Sequence, residues 1–185
     1  FEWRWHFTPG QSFLLVSRNE DYVDKPGNPK SLFWKIDFLH QNQPGWLLPK
    51  MTRTKLRLTN ESNGSTIDGE STTGDVARGD RRTAIGLDEF AAFDVDAGYR
   101  ALASTRDATN SRIFNSTPAG SGNAFYDMAH KAETPQLTLH WTQHPDKSEG
   151  TYTDEYGKVR SPWYDAECRR CAHPQEVAQE LDIDF

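Results

Sequence analysis

Two adjacent carboxylates, Asp88 and Glu89, follow directly on an apolar run at residues 83–87. A carboxylate at the end of a buried strand can hold the hydrated Mg²⁺ of a nucleotide, and a second carboxylate beside it can orient water for in-line attack on a phosphate. Many strands also end in acidic residues that only cap the next helix. The pair is therefore a candidate catalytic site with a structural alternative.

A second group of polar side chains, Asn115, Ser116 and Thr117, ends another strand pattern at residues 111–116. If this strand is parallel to the first, both ends lie at one edge of the sheet, the usual ligand position in open α/β folds. Hydroxyl and amide groups there can respond to the terminal phosphate of a nucleotide. A proline and a glycine soon afterwards also fit an ordinary turn.

Arg78 lies in segment 74–82, which contains three arginines and the flexible Gly79. A guanidinium in such a loop suits contact with a phosphate charge. The alternative is a solvated basic loop.

The apolar run ending in Asp88 and Glu89 fits a Walker B strand, which normally accompanies a Walker A loop, Gly-x-x-x-x-Gly-Lys followed by Ser or Thr. Residues 69–74 supply the two glycines, but Asp75 stands where the lysine is needed. Without that cation the loop cannot hold the β- and γ-phosphates. We therefore expect residues 1–185 alone to bind ATP weakly or not at all and to be inactive.

Cys168 and Cys171, with His173 nearby, form half of a possible zinc site, and His140 or His144 could complete it. Free thiols in a reducing compartment explain the two cysteines equally well. The sequence leaves both alternatives open.

The composition fits one folded domain of 185 residues. Lys and Arg number 21 and Asp and Glu 27, so the net charge of −6 excludes a basic protein that coats nucleic acid. Any DNA contact must come from a local patch, for which Arg53, Lys55 and Arg57 on one face of a predicted strand are candidates; a solvated strand face is the alternative. No apolar stretch predicts a membrane span or a signal peptide.

Predicted strands alternate with predicted helices, which indicates the α/β class. The strands are 12–17, 52–59, 83–87, 111–116 and 136–141, and a turn at Asn63 and Gly64 pairs 52–59 with 65–67 as a β-hairpin. The helices are 31–39, a stretch near 99–104, and 164–181 with a break at 173–174; a polar loop covers 144–160.

Taken together, these segments resemble the ATPase domain of tailed-phage large terminases, the motors that pump DNA into the procapsid. The matching motifs lie at 12–18, 31–34, 77–79, 87–91, 115–120 and 123–127. The resemblance implies a P-loop NTPase core of the ASCE type, with a mainly parallel central sheet flanked by helices and a β-hairpin insertion. Residues 1–160 would be a partial ATPase core without its Walker A segment, and 161–185 a helical linker toward a nuclease domain. Residues 1–7 would be helical, although their alternation is typical of a strand.

The resemblance also implies roles for single residues. Asp88 would coordinate Mg²⁺, Glu89 would activate water, and Arg78 would act in trans on the ATP of a neighbouring subunit. The motif that couples the γ-phosphate to domain motion falls on Asn115, Ser116 and Thr117.

The cofactors implied are ATP and Mg²⁺. The partners implied are double-stranded DNA, the portal protein, the small terminase subunit and a homo-oligomeric ring of large subunits, in the host cytoplasm and transiently at the portal vertex of the procapsid, with no membrane. Two alternatives remain: another P-loop DNA motor such as a helicase, or a non-catalytic DNA-binding or assembly module.

Overall fold

The computed structural model describes residues 1–72, 76–131 and 133–185. The chain forms two compact units, Phe1–Ser116 and Thr117–Phe185. The predicted boundary between an ATPase core and a linker at 160/161 stays a prediction. None of the helices within the described ranges is both long and apolar enough to span a membrane.

Among its described residues, the first unit contains six strands and five helices or helical turns. Its strands are β1 (Ser12–Ser17), β2 (Met51–Thr54), β3 (Arg57–Asn60), β4 (Thr66–Ser71), β5 (Ala84–Asp88) and β6 (Arg112–Asn115). Its helices are α1 (Glu2–Phe7), α2 (Glu20–Val23), α3 (Leu32–Asn42) and α4 (Val95–Ala108), with a 3₁₀ turn at Phe90–Ala92.

The six strands form one sheet in the order β2-β3-β4-β1-β5-β6. Strands β4, β1, β5 and β6 are mutually parallel, whereas β2 and β3 add an antiparallel extension beside β4. The predicted α/β fold with a mainly parallel sheet is confirmed. The predicted strand at 12–17 is β1 itself, and its Phe13, Leu14 and Val16 are all buried. Because neighbouring side chains alternate between faces, this strand is covered on both sides.

One core cluster of the first unit packs α1, α2 and α3 against the sheet, around Trp5, Phe13, Val23 and Phe33. Residues 1–7 form the helix that the resemblance implies, with Trp5 fully buried. The helices approach β4 so closely that a Cβ at Gly69 would lie 2.6 Å from Val23 Cγ1. The absence of a side chain at this position therefore sets the distance between layers.

The predicted strand at 52–59 is wrong in one respect, because the chain reverses in its middle. Leu56 adopts a left-handed conformation, with φ of 58°, and the segment becomes the antiparallel pair β2 and β3. The turn at Asn63 and Gly64 is confirmed, since it joins β3 to β4. Residues 65–67 thus enter a strand that also pairs with the central β1, so the insertion is a three-strand meander.

The second unit contains α5 (Ala124–His130), α6 (Pro145–Ser148), β7 (Tyr152–Thr153), β8 (Val159–Arg160), α7 (Pro162–Arg170) and α8 (Pro174–Glu180), with a 3₁₀ turn at Trp141–Gln143. Its core cluster is built on Trp141, Tyr164 and Leu181. The predicted break in the last helix is confirmed, because Pro174 starts a new helix.

Two predictions for the second unit are wrong. Residues 136–141 form no strand: Leu137 and Leu139 are 83% and 74% exposed, and only Trp141 of this alternating run is buried. An alternating pattern makes a strand only where a partner edge exists, and the described strands of this unit, β7 and β8, pair with each other. The predicted polar loop at 144–160 contains α6 and the hairpin of β7 and β8.

Candidate active site

The four parallel strands end at one edge of the sheet, the carboxyl edge, which we define by Ser17, Ser71, Asp88 and Asn115. On β5 and β6, Asp88 and Asn115 are direct register partners. The expectation that these two strand ends share one edge is confirmed. Such an edge is where open α/β sheets bind ligands.

Two hydrogen bonds join the end of β6 to the end of β5 and the turn after it. Asn115 Nδ2 donates to Asp88 Oδ1 over 2.7 Å. The backbone N–H of Ala91 donates to Ser116 Oγ over 3.1 Å. Asn115 therefore fixes the Asp88 carboxylate in position, and Ser116 binds the turn that follows β5.

Glu89 follows Asp88 in a left-handed conformation, with φ of 56° and ψ of 38°. This conformation is uncommon and strained for a residue other than glycine, and it persists only where the surroundings impose it. The next residue provides that anchor, because Phe90 is buried and its ring lies 5.0 Å from that of Phe114 on β6. The Glu89 side chain is exposed at the edge.

The neighbouring strand β1 contributes two residues that sequence reasoning did not single out. Ser17 is fully buried, and its Oγ has no hydrogen-bond partner among the described residues. Arg18 follows it, is exposed, and stacks over Tyr22 at 4.4 Å. Val16 is the register partner of Leu87, so Arg18 lies at the level of Glu89. Arg18 ends the matching motif at 12–18, but only the strand order, which the sequence does not give, places it at the level of Glu89.

Arg78 lies in the connection that follows β4. In the sheet, β1 lies between β4 and β5. Its loop is held by a hydrogen bond from Ala77 N–H to Glu70 Oε2 of 2.9 Å, and Arg78 is exposed. Position 78 therefore directly follows a residue that is bound to Glu70 of β4. Gly74 and Asp75, part of the segments discussed above, lie outside the described residues.

The third residue of the predicted group at the end of β6, Thr117, is exposed and is the first residue of the second unit.

The cations of the hairpin do not form the single face predicted for DNA contact. The turn at Leu56 puts Arg53 opposite Leu58 and Arg57 opposite Thr54, so successive register pairs place the two arginines on opposite faces. Arg53 binds Asp24 and Asp37 at 2.7 and 3.0 Å. Arg57 lies 3.4 Å from Asp68, and Lys55 pairs with Glu20.

Asp24 is the most buried member of this ion-pair network, with its side chain 4% exposed. Burial alone would raise the pKa of the Asp24 carboxyl, but hydrogen bonds from Arg53 and from Leu56 N–H lower the pKa below its ordinary value. Arg53 also stacks over Phe33 at 4.3 Å. These contacts give Arg53 a structural role.

Cys168 and Cys171 are free, partly buried thiols. Within the ranges that the structure describes, one group of three or more metal-ligating side chains lies within ligand distance, and neither cysteine nor His173 belongs to it. The structure therefore does not bring the predicted zinc ligands of the second unit together.

A surface hollow of about 480 Å³ lies at the opposite edge of the sheet, beside Ser12, Arg82 and Thr83. Arg82 is tied there to Asp68 and Asp80. This hollow is separate from the carboxyl edge and takes no part in the candidate site.

Comparison with known proteins finds solved structures of similar fold. No family model and no curated protein matches the chain. The large terminase ATPase domain of Thermus phage P74-26 is 20% identical with a TM-score of 0.58, over 99% of this chain and 80% of that one. The large terminase of a thermophilic bacteriophage is 13% identical with a TM-score of 0.61, over 97% of this chain and 41% of that one.

A second structure of the thermophilic-bacteriophage large terminase, in complex with ADP, also matches. It is 12% identical, with a TM-score of 0.61. This chain therefore spans less than half the length of that terminase. At these identities the likeness concerns the fold. The chain has the fold seen in large terminase ATPase domains.

Proposed function

We propose that the chain is part of the ATP-hydrolysing motor subunit, the large terminase, that translocates viral DNA into a procapsid. The observation that carries the proposal is the carboxyl edge, where Asn115 holds the Asp88 carboxylate and the exposed Glu89 follows in a strained turn. The fold shared with large terminase ATPase domains supports the same assignment. The ADP complex of the thermophilic-bacteriophage large terminase supports an adenine nucleotide as the ligand.

Asp88 suits a magnesium ligand, because it is a carboxylate at the end of a buried strand and one of its oxygens is already oriented by Asn115. Bound Mg²⁺ would neutralise charge on the phosphate oxygens of ATP. The strand fixes the Asp88 backbone, so the residue can hold the ion without rearrangement of the sheet.

Glu89 is the proposed general base. Its side chain is exposed at the carboxyl edge, where it would accept a proton from the attacking water while Asp88 would hold the metal ion. The two adjacent carboxylates thereby receive different tasks from their different backbone positions.

The proposed coupling motif consists of Asn115, Ser116 and Thr117. The bonds from Asn115 to Asp88 and from Ala91 to Ser116 connect this motif to both sides of Glu89. A displacement at the end of β6 would therefore shift the turn that carries the base. Arg78 is proposed to act in trans on a neighbouring subunit's ATP, a task suited to a planar guanidinium.

The remaining parts of the proposal concern the whole motor. Double-stranded DNA, the portal protein, the small terminase subunit and a ring of large subunits are the proposed partners. The proposed location is the host cytoplasm, with transient attachment at the portal vertex of the procapsid.

The decisive experiment measures ATP hydrolysis by a longer form of the protein that includes a Walker A segment. We expect Glu89→Gln to lower kcat by about 10²- to 10⁴-fold, the usual contribution of a general base, and to leave ATP affinity within a few-fold of the wild type. Asp88→Asn should instead weaken Mg²⁺-dependent binding.

Glu149→Gln is the matched control, since Glu149 is an exposed glutamate of the second unit. It should leave both quantities unchanged. Full activity of Glu89→Gln would remove Glu89 as the base. Absence of Mg²⁺-dependent ATP binding in the longer wild-type form would overturn the proposed function.

A further inference from the structure

A buried cluster of Glu2, His6 and His40 lies away from the carboxyl edge and connects α1 to α3. The His6 and His40 side chains are only 4% and 6% exposed, and that of Glu2 is 21% exposed. One ligand atom from each residue lies within 4.8 Å of the other two. Two imidazoles and a carboxylate are thus gathered in the interior of the first unit.

The hydrogen bonds within the cluster leave two of its polar atoms without a partner among the described residues. Glu2 Oε1 lies 3.1 Å from His6 Nδ1 and also bonds to His40 Nε2. Glu2 Oε2 and His6 Nε2 are buried and have no partner among the residues that the structure describes. A buried polar atom without a partner costs free energy, and such atoms in a native fold are candidates to bind an ion or water.

We propose that Glu2, His6 and His40 bind a divalent cation of the zinc type. Imidazole nitrogen and carboxylate oxygen together suit Zn²⁺, whose bonds to them are about 2.0–2.2 Å, which places tetrahedral ligand atoms about 3.3 Å apart. The ligand atoms of the cluster lie within 4.8 Å of one another, so side-chain rotation would have to bring them to this spacing. Three protein ligands leave the fourth position to water, on the partly exposed side of Glu2.

The surroundings hold these ligands in place. Trp5 is fully buried, stacks on His40 at 5.4 Å and packs its ring against His6. Asn63 Nδ2 donates to the carbonyls of Trp5 and His6 at 3.0 Å, which anchors the end of α1. A rigid supporting shell of this kind is what a metal site requires. The ion would clamp α1 to α3.

Zinc binding to residues 1–185 tests the proposal in a Cys168→Ser/Cys171→Ser background, so that thiolates of the second unit cannot bind the metal. Calorimetry should give one Zn²⁺ per chain, and Co²⁺ should give the visible absorption of a tetrahedral site. Zinc should also raise the Tm, because it binds the folded state. These readouts do not depend on ATPase activity.

His40→Ala and the volume-conserving Glu2→Gln and His6→Gln variants should each weaken Zn²⁺ binding by 100-fold or more, beyond the roughly 10- to 100-fold typical of losing a residue that only orients a ligand. His173→Ala is the matched control and should bind like the parent. Far-ultraviolet circular dichroism checks that each variant folds. The proposal would be overturned if the parent did not bind Zn²⁺ stoichiometrically, or if folded Glu2→Gln and His6→Gln bound Zn²⁺ as tightly as the parent does. Either result would show that the cluster is only a hydrogen-bonded triad.

Discussion

The carboxyl edge and the β2–β3 hairpin both contain charged residues that the sequence marks as candidates for function, but the fold uses them differently. At the carboxyl edge, Asp88 is bound by the neutral amide of Asn115 and Glu89 is exposed. In the hairpin, Arg53 is bound by two carboxylates and stacked on Phe33. The first arrangement keeps its charge available to a ligand, whereas the second neutralises its charge internally.

The difference follows from where each segment lies. The ends of parallel strands at one edge of a sheet face solvent together, because their connections lead away from that edge. The hairpin lies beside α2 and α3, so Arg53 is placed against Asp24, directly after α2, and Asp37 of α3. Charge in a sequence therefore predicts a binding surface only when the partners supplied by the fold are known.

The largest effect that would sharpen this comparison is the loss of Arg53. Arg53→Ala leaves Asp24, whose side chain is 4% exposed, without its main cation, and should lower the free energy of unfolding by about 3 kcal/mol. Arg57→Ala is the matched control: its side chain is 56% exposed, and the change should cost less than about 1 kcal/mol. Urea unfolding of both variants measures the difference.

A double variant tests whether the loss comes from the abandoned carboxylate. Adding Asp24→Asn to Arg53→Ala should recover part of the lost stability, because the buried charge is removed with its partner. Equal and small losses for Arg53→Ala and Arg57→Ala would break the comparison, since both arginines would then be ordinary surface cations available to DNA.

The sequence predicted β1 and β5 well because their apolar runs need burial on both faces, which few other structures provide. It missed β4 as a parallel strand, since only residues 65–67 were expected there, as one arm of a hairpin. It also placed Asp88 and Asn115 at the same edge, since parallel strands leave no other arrangement. The hairpin faces could not be predicted in this way. They depend on Leu56, which adopts a left-handed conformation that its residue type does not favour. The cluster of Glu2, His6 and His40 escaped because His40 is far from the other two along the chain and meets them only through packing.

A second, smaller effect is the pH dependence of the same ion pair. The pKa of Asp24 is lowered below its ordinary 3.8 in the folded state, so its ionised form favours folding above that pH. This contribution should fade as the pH falls through the lowered pKa. The difference in unfolding free energy between the wild type and Asp24→Asn, about 1–3 kcal/mol at pH 6, should therefore shrink between about pH 4 and 2.

Urea unfolding across that pH range provides the measurement, and Asp146→Asn, at an exposed position of α6, is the control. The control should show no such convergence with the wild type. A difference between the wild type and Asp24→Asn that stays constant down to pH 2 would mean that Arg53 does not stabilise the Asp24 carboxylate, and the contrast with the carboxyl edge would fail.

The smallest effect on stability is expected at the carboxyl edge itself. Asn115→Ala removes one exposed hydrogen bond to Asp88 and should change the unfolding free energy of residues 1–185 by less than about 1 kcal/mol. In a longer form with a Walker A segment, the same change should lower kcat, because the Asp88 carboxylate loses the amide that orients it. A residue whose removal costs little stability but much activity is retained for its ligand. If Asn115→Ala instead destabilised the fold as strongly as Arg53→Ala, the edge would be a structural device like the hairpin, and the two regions would no longer differ.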